Sequence, residues 1–158
     1  MTTPPAARQP EDADALAADA AVLRRFRQEH ESMRRHFDAV QASLASLHSA
    51  QQTPHLLRNL AQAVRNHFEM EEVDGIYEQV QRDAPHLASE VHKLEADHQV
   101  LLEEIAELAD MGQGLVDDAW VRQVSHLFRR FRDRMAHHEA EENKVVQRAY
   151  SDDVGTKD

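Results

Sequence analysis

Residues 120–146, with the sequence WVRQVSHLFRRFRDRMAHHEAEENKVV, carry the pattern that decides the fold. Apolar side chains recur in this stretch every three or four positions, at Trp120, Val124, Leu127, Phe128, Phe131, Met135, Val145 and Val146. This spacing is typical of an amphipathic helix that buries one face. Asp117 or Asp118 stands before it and is a suitable N-terminal cap. The stretch therefore predicts one long helix that packs against other elements.

Three earlier stretches show the same apolar spacing. Their apolar residues are Leu16, Leu23, Phe26, Met33, Phe37, Val40, Leu44 and Leu47; then Leu57, Leu60 and Val64, less regularly continued to Ile76, Tyr77 and Val80; then Leu87, Val91, Leu94, Leu101, Leu102, Ile105 and Leu108. Thr53 is the expected N-cap of the second helix, with Pro54 at its first position. Four helices with short connections predict an all-α, up-down-up-down four-helix bundle.

Length, charge and composition narrow the function. The chain has 158 residues, which suits one domain: an N-terminal arm at 1–12, the bundle at 13–150 and a flexible tail at 151–158. Its net charge of −11 argues against nucleic-acid and anionic-membrane partners. With no cysteine, disulfides, thiolate chemistry and iron–sulfur clusters are excluded. Neither a signal peptide nor a membrane span is recognisable, so we expect a cytoplasmic protein.

Histidines fill gaps in the apolar stripes, and the chain has eleven of them. His30 takes a missing core position in the first helix, and His98 takes one in the third. In the second helix, His67 and Glu71 follow Val64 on the same face as Leu57, Leu60 and Val64. Burying such side chains is costly unless something compensates for their polarity. Their repetition in successive helices therefore indicates metal ligands rather than core histidines.

The fourth helix offers two histidine–glutamate pairs. His137 and Glu141 resemble the second-helix motif in sequence, but position 137 shares a face with basic residues. His138 and Glu142 instead continue the apolar stripe by steps of three and four. We therefore select His138 and Glu142 as the ligands and keep His137 and Glu141 as the alternative.

Four imidazoles and two carboxylates that converge in a bundle core suit two divalent metal ions. Residues four apart lie one turn apart on one helix face, so each histidine–glutamate pair can point at one place. Each ion would take two histidines, and the two glutamates would bridge the ions. Imidazole and carboxylate without thiolate suit iron, manganese or zinc, and carboxylate bridging favours iron. The Glu-x-x-His pattern of ferritin-like bundles is absent from this arrangement.

The segments around these residues resemble the hemerythrin-like, or HHE cation-binding, domain in its bacterial form. The resemblance covers roughly residues 20–150 and is carried by LRRFRQEHESMRRHF at 23–37, HFEMEEVDGIY at 67–77, LEADHQVLLEEI at 94–105 and HEAEENKVVQRAY at 138–150. It implies that His30, His67, Glu71, His98, His138 and Glu142 hold an oxo- or hydroxo-bridged di-iron centre.

Two positions depart from the oxygen-carrying members of that family. Leu94 stands where the carriers have a fifth histidine, and Asn143 stands where they have a carboxylate. Four histidines leave more coordination positions open on the metal ions than five would. We therefore expect the centre to bind oxygen, nitric oxide or peroxide in sensing or stress defence, rather than to store oxygen. The alternatives are a di-iron enzyme acting on peroxide or nitric oxide, and an iron storage or sensing protein. We expect a monomer or homodimer with an electron donor that the sequence does not identify.

Several neighbours of the ligands have a structural and a functional interpretation. Gly75 either opens a path to the metals or loosens the helix, and we favour the loosened helix. Tyr77 either approaches the centre or packs in the core, and we favour core packing. The glutamates Glu69, Glu72, Glu139 and Glu141 either contact the ligands or face water. Phe26, Phe37, Phe128 and Phe131 either keep the centre dry or simply pack in the core, and both interpretations fit equally well.

Overall fold

The protein is built from helices throughout its described part. A computed structural model describes the backbone of residues 10–73 and 75–155 and the side chains of residues 18–73 and 75–151. The helices are α1 Pro10–Ser43, α2 Leu47–Ala50, α3 Thr53–Glu72, α4 Ile76–Asp83, α5 Ala88–Asp110 and α6 Asp118–Gly155, with 3-10 turns at Pro85–Leu87 and Met111–Gln113. Within these residues there is no β-strand. The all-α prediction is confirmed.

The four long helices form the bundle. Helix α1 packs against α3, α3 against α5, and α5 against α6. Phe37 of α1 stacks on Phe131 of α6 with ring centroids 5.8 Å apart, which joins the first and last helices. The up-down-up-down order stays a prediction. No helix of the described residues is long and apolar enough to cross a membrane.

The predicted helix starts are confirmed in one case and wrong in another. Asp117 accepts a hydrogen bond at 2.8 Å from the Trp120 amide, so it caps α6 as expected. Thr53, however, is the first residue of α3 rather than its cap, and Gln52 precedes it. The Thr53 hydroxyl instead lies 2.7 Å from the Ser43 hydroxyl, and both are buried. That contact joins the end of α1 to the start of α3.

The second stripe, expected as one irregular helix to Val80, is divided into two. Helix α3 ends at Glu72, and α4 begins at Ile76. At Gly75, an added Cβ would lie 2.1 Å from the Met70 carbonyl oxygen and 2.6 Å from that of Glu71. A glycine is therefore needed for the chain to pass this close to the end of α3. The break lets α4 pack against α5 and α6.

Two apolar clusters fill the core. One contains Met33, Phe37, Val64, Phe68, Leu101, Phe131 and Met135 among others, and the other contains Phe26, Ile76, Tyr77, Val91, Leu94, Val145 and Val146 among others. In sequence, His30, His98, His138 and Glu142 fall between a residue of one cluster and a residue of the other, and Glu71 falls between Phe68 of the first cluster and Ile76 of the second. His67 lies between Val64 and Phe68 at the edge of the first cluster. The polar side chains therefore form a layer between two dry regions.

The predicted domain limits fall near the ends of the described chain. Residues 1–9 and 156–158, which belong to the predicted arm and tail, lie outside the described residues. The helical backbone begins at Pro10 and ends at Gly155, slightly beyond the predicted bundle limits of 13 and 150. The division into arm, bundle and tail stays a prediction.

Replacing Gly75 should destabilise the fold. For Gly75→Ala we expect the free energy of unfolding to fall by about 1–3 kcal/mol, the usual range for a forced overlap. Gly114→Ala is the matched control, because its added Cβ would meet nothing closer than the Met111 carbonyl oxygen at 3.8 Å. Urea unfolding of the metal-free proteins measures both changes. Equal losses in the two variants would contradict the role assigned to Gly75.

Candidate metal centre

Six buried side chains from the four long helices converge at the middle of the bundle. They are His30 of α1, His67 and Glu71 of α3, His98 of α5, and His138 and Glu142 of α6, each at most 4% exposed. Their nitrogen and oxygen atoms form two groups, in each of which all the atoms lie within 4.8 Å of one another. The first group is His30, His67, Glu71 and Glu142; the second is Glu71, His98, His138 and Glu142. Both glutamates belong to both groups.

The two oxygens of Glu71 face different halves of the centre. Oε1 lies 2.7 Å from His67 Nε2 and 3.5 Å from His30 Nε2. Oε2 lies 3.5 Å from His98 Nε2, which is itself 3.1 Å from His138 Nε2. On the other side, Glu142 Oε2 lies 3.1 Å from His30 Nε2. This is the arrangement that a carboxylate bridge between two ions requires.

The structure distinguishes the two pairs considered in the fourth helix. His138 and Glu142 are buried in the centre. His137 is exposed, and Glu141 forms a surface ion pair with Lys144 at 2.5 Å. Helical phase, rather than similarity to the motif at residues 67–72, thus identifies the inward pair.

The buried polar atoms of the centre fit a bound cation. Among the described side chains, His30 Nε2, His67 Nε2 and both carboxylate oxygens of Glu71 and Glu142 are buried without a hydrogen-bond partner. Several of these nitrogen and oxygen atoms lie close to one another, but their angles do not allow a hydrogen bond between them. Buried polar atoms are normally satisfied, and unpaired buried carboxylates are costly. Metal ions held between these atoms would provide the missing partners.

The protonation states of the imidazoles differ across the centre. Burial by itself lowers the pKa of His30, but the carboxylates of Glu142 and Glu71 outweigh burial and raise that pKa to about 9. Burial, together with the adjacent His138, lowers the pKa of His98 to about 3. Burial and the Glu142 carboxylate raise the pKa of Glu71 well above its usual range. The metal-free centre therefore keeps His98 neutral, the form in which imidazole binds metals.

Two further carboxylates contact the outer nitrogens of the second group. Glu72 Oε1 lies 2.6 Å from His98 Nδ1, and Asp97 Oδ2 lies 3.7 Å from His138 Nδ1. An ionised carboxylate only accepts, so His98 Nδ1 carries the proton and its Nε2 lone pair faces the centre. Glu72 was one of four flanking glutamates considered from the sequence. Asp97 gave no sequence signal, because it lies beside His98 and off the apolar stripe.

Aromatic rings enclose the centre. Phe68 stacks on His98 with centroids 3.8 Å apart and planes at 7°, and the Phe26 centroid lies 4.3 Å from that of His30. Phe26 thus lies where the dry-shell interpretation places it, whereas Phe37 and its partners stack within the adjoining apolar cluster. Phe68 was missed, although its spacing of four from Val64 continues the stripe. These rings exclude water from both histidine pairs.

Tyr77 does more than pack. It is 2% exposed, as a core residue should be, but its hydroxyl lies 3.1 Å from His98 Nε2. Burial raises the pKa of Tyr77, and the carboxylates of Glu142 and Glu71 raise it further. The interpretation of Tyr77 as core packing was therefore incomplete, because its polar end is part of the centre.

Two clefts among the described residues border candidate ligands. The larger, of about 260 Å³, is lined by Asp97, Leu101, Asp133, Arg134, His137 and His138. The smaller lies beside Glu71. It has a volume of about 40 Å³ and is lined by Val22, Arg25, Phe26, Met70, Glu71, Gly75 and Ile76. The smaller cleft lies between α1 and the break that separates α3 from α4, and Glu71 is among its lining residues. Gly75 thus borders this cleft as well as permitting the break.

A helical bundle that encloses two groups of imidazoles and carboxylates defines a class of metal-binding protein. A family model described as the hemerythrin HHE cation binding domain matches residues 89–157. The predicted resemblance is thus confirmed over the part of the chain that contains His98, His138 and Glu142. No curated protein and no solved structure matches the chain. His30, His67 and Glu71 precede the matched residues, and the tertiary structure brings them to the same centre.

Weakening the contact between Glu72 and His98 should weaken metal binding. For Glu72→Gln we expect a roughly 10- to 100-fold loss of affinity, the usual effect of removing a carboxylate that orients a ligating histidine. Glu69→Gln is the matched control, because Glu69 is exposed on the same helix. Competition with a chromogenic chelator measures both affinities. Unchanged affinity in Glu72→Gln would show that the contact does not orient His98.

Proposed function

We propose that this protein holds two iron ions in its candidate metal centre and binds a small molecule there, in sensing or stress defence. The observation that carries the proposal is the pair of four-residue groups that share Glu71 and Glu142. One ion would be held by His30 and His67, and the other by His98 and His138. The two glutamates would bridge them.

The donor set supports iron. Nitrogen from imidazole and oxygen from carboxylate, without thiolate, suits iron, and bridging carboxylates favour iron over zinc. Two bound iron ions would supply open coordination positions and a one-electron change at each ion. The residues present contribute two nitrogens and two carboxylates to each group, which is fewer than the six donors of an octahedral ion.

The chain's own residues would set the conditions at the centre. Glu71 and Glu142 come from two different long helices, α3 and α6, so the packing of the bundle fixes the distance between the two carboxylates. Glu72 orients His98 through its outer nitrogen. Phe26 and Phe68 cover one histidine of each pair and keep bulk water away from it.

Burial of the donor atoms favours a very small molecule. The six candidate ligands are at most 4% exposed, and the cleft beside Glu71 has a volume of about 40 Å³. Oxygen, nitric oxide and peroxide are among the smallest molecules that could reach donors buried to this extent. The four-histidine set leaves positions at which such a molecule could bind.

Metal content and the optical spectrum test the di-iron proposal. We expect aerobically purified protein to contain about two irons per chain, one for each group, and to absorb in the near ultraviolet as a bridged ferric pair does. In His98→Ala the iron content should be halved or lost. His92→Ala is the matched control, since His92 is exposed on the same helix α5. Absence of metal, or zinc alone at the same level in His98→Ala, would overturn the proposal.

Iron should also stabilise the fold. Because the centre exists only in the folded chain, bound metal shifts the unfolding equilibrium towards the native state. At a free iron concentration about 100 times Kd, we expect the free energy of unfolding to increase by about 2.7 kcal/mol. Thermal unfolding of iron-loaded and chelator-treated protein measures the difference. Equal melting temperatures at saturating iron would contradict the proposed site.

Rapid mixing tests the binding of a small molecule. Nitric oxide or peroxide should change the iron spectrum in proportion to the protein present, without repeated turnover. Sustained release of oxygen from peroxide would instead indicate an enzyme. No spectral change with oxygen, nitric oxide or peroxide would overturn the binding role while leaving the metal centre intact.

A further inference from the structure

The break between α3 and α4 brings a second polar group into the centre. Tyr77 lies in the first turn of α4, two residues after Gly75. Its ring lies nearly parallel to His98, with centroids 5.4 Å apart and planes at 18°. The phenol therefore enters the metal centre from a helix that supplies none of the six candidate ligands.

The phenol oxygen lies among the donor atoms of the second group. It is 3.1 Å from His98 Nε2, the nitrogen that also lies 3.1 Å from His138 Nε2 and 3.5 Å from Glu71 Oε2. Since Glu72 holds the proton on His98 Nδ1, the Nε2 atom offers a lone pair. The Tyr77 hydroxyl donates to that lone pair in the metal-free protein.

An ion bound by His98 and Glu142 would occupy both groups that the phenol now contacts, the His98 Nε2 lone pair and the Glu142 carboxylate. A buried tyrosine hydroxyl normally has a hydrogen-bond partner, and losing one costs free energy. The bound ion would lie next to the same oxygen, because both contact the same nitrogen. Coordination of the phenol oxygen would restore a partner at the position that the hydroxyl already holds.

We propose that Tyr77 is a seventh protein ligand, which binds through its phenol oxygen to the ion held by His98 and His138. The phenol proton would leave to water when a ferric ion binds. This inference rests on the proposed function, since it requires metal in the centre.

The two ions would then differ in their protein ligands. The chain has two tyrosines, and the other, Tyr150, borders a separate cleft with Asp19 and Gln79. The ion of His30 and His67 would therefore lack a phenol ligand and keep more open positions. Clefts border both halves of the centre, one at Phe26 beside His30 and one at His138, so the number of open positions rather than access distinguishes the two ions. The small molecule of the proposed function would bind at the His30–His67 ion.

Spectroscopy of the ferric protein tests this ligand directly. A phenol bound to ferric iron gives a charge-transfer band in the visible region and enhances tyrosine ring vibrations in resonance Raman spectra. We expect both signals in the wild-type chain and in Tyr150→Phe, and their complete loss in Tyr77→Phe. The iron content of each protein is measured beside its spectrum, and circular dichroism checks that each variant is folded.

Isotope labelling makes the test independent of the folding of Tyr77→Phe. In Tyr150→Phe, Tyr77 is the one tyrosine left in the sequence. Growth on ring-deuterated tyrosine should shift the enhanced vibrations of this variant to lower frequency. Such a shift identifies Tyr77 as the ligand without altering it.

The possible results separate this inference from the proposed function. Iron-loaded wild-type protein and Tyr150→Phe without the visible band would overturn the Tyr77 ligand and leave the di-iron proposal standing. A band that persists in folded Tyr77→Phe, or that disappears in Tyr150→Phe, would also overturn it. Failure of the wild-type chain to bind iron would overturn both.

Discussion

Two carboxylates buried side by side impose the constraint on which the rest of the structure depends. Glu71 and Glu142 are at most 1% exposed, and their oxygens have no hydrogen-bond partner among the described residues. Burying one such group costs several kcal/mol unless it is paired, and two add their mutual repulsion. Without metal, the neighbouring imidazoles offset this cost only in part. The carboxylates raise the pKa of His30, which favours its charged form, yet burial and Glu142 still raise the pKa of Glu71 well above its usual range. A site that binds cations is the arrangement for which these costs make physical sense.

The apolar core is organised around this polar layer. Helices α1, α5 and α6 place apolar residues on both sides of their ligands, and α3 and α4 together do the same for His67 and Glu71, so two dry clusters enclose the imidazoles and carboxylates. Close packing of these clusters holds the four helices at fixed separations. The same packing that stabilises the bundle therefore sets the distance between the two groups of donor atoms. Stability and the geometry of the donor atoms are linked in this protein.

The break at Val73–Gly75 connects the backbone to the chemistry of the centre. An uninterrupted α3 would carry Tyr77 past the ligands along the helix axis. The absence of a side chain at Gly75 allows the chain to turn beside the Met70 and Glu71 carbonyls, and α4 then places Tyr77 against His98. The break also borders the cleft that reaches Glu71. Gly75 thereby affects the direction of the chain after α3, the position of Tyr77 beside His98 and the cleft beside Glu71.

What the sequence determined was the inner face of each helix. A rise of 1.5 Å and 3.6 residues per turn put His67 with Glu71 and His138 with Glu142 on one face, whatever the rest of the chain does. The same periodicity predicted the all-α fold and directed the choice of His138 over His137. The tertiary structure alone decided which side chains meet across helices: Glu72 and Tyr77 on His98, Asp97 near His138, and Phe68 over the ring. Those contacts depend on how each helix is rotated and where α3 breaks, and such angles arise from the packing of the whole core rather than from local spacing.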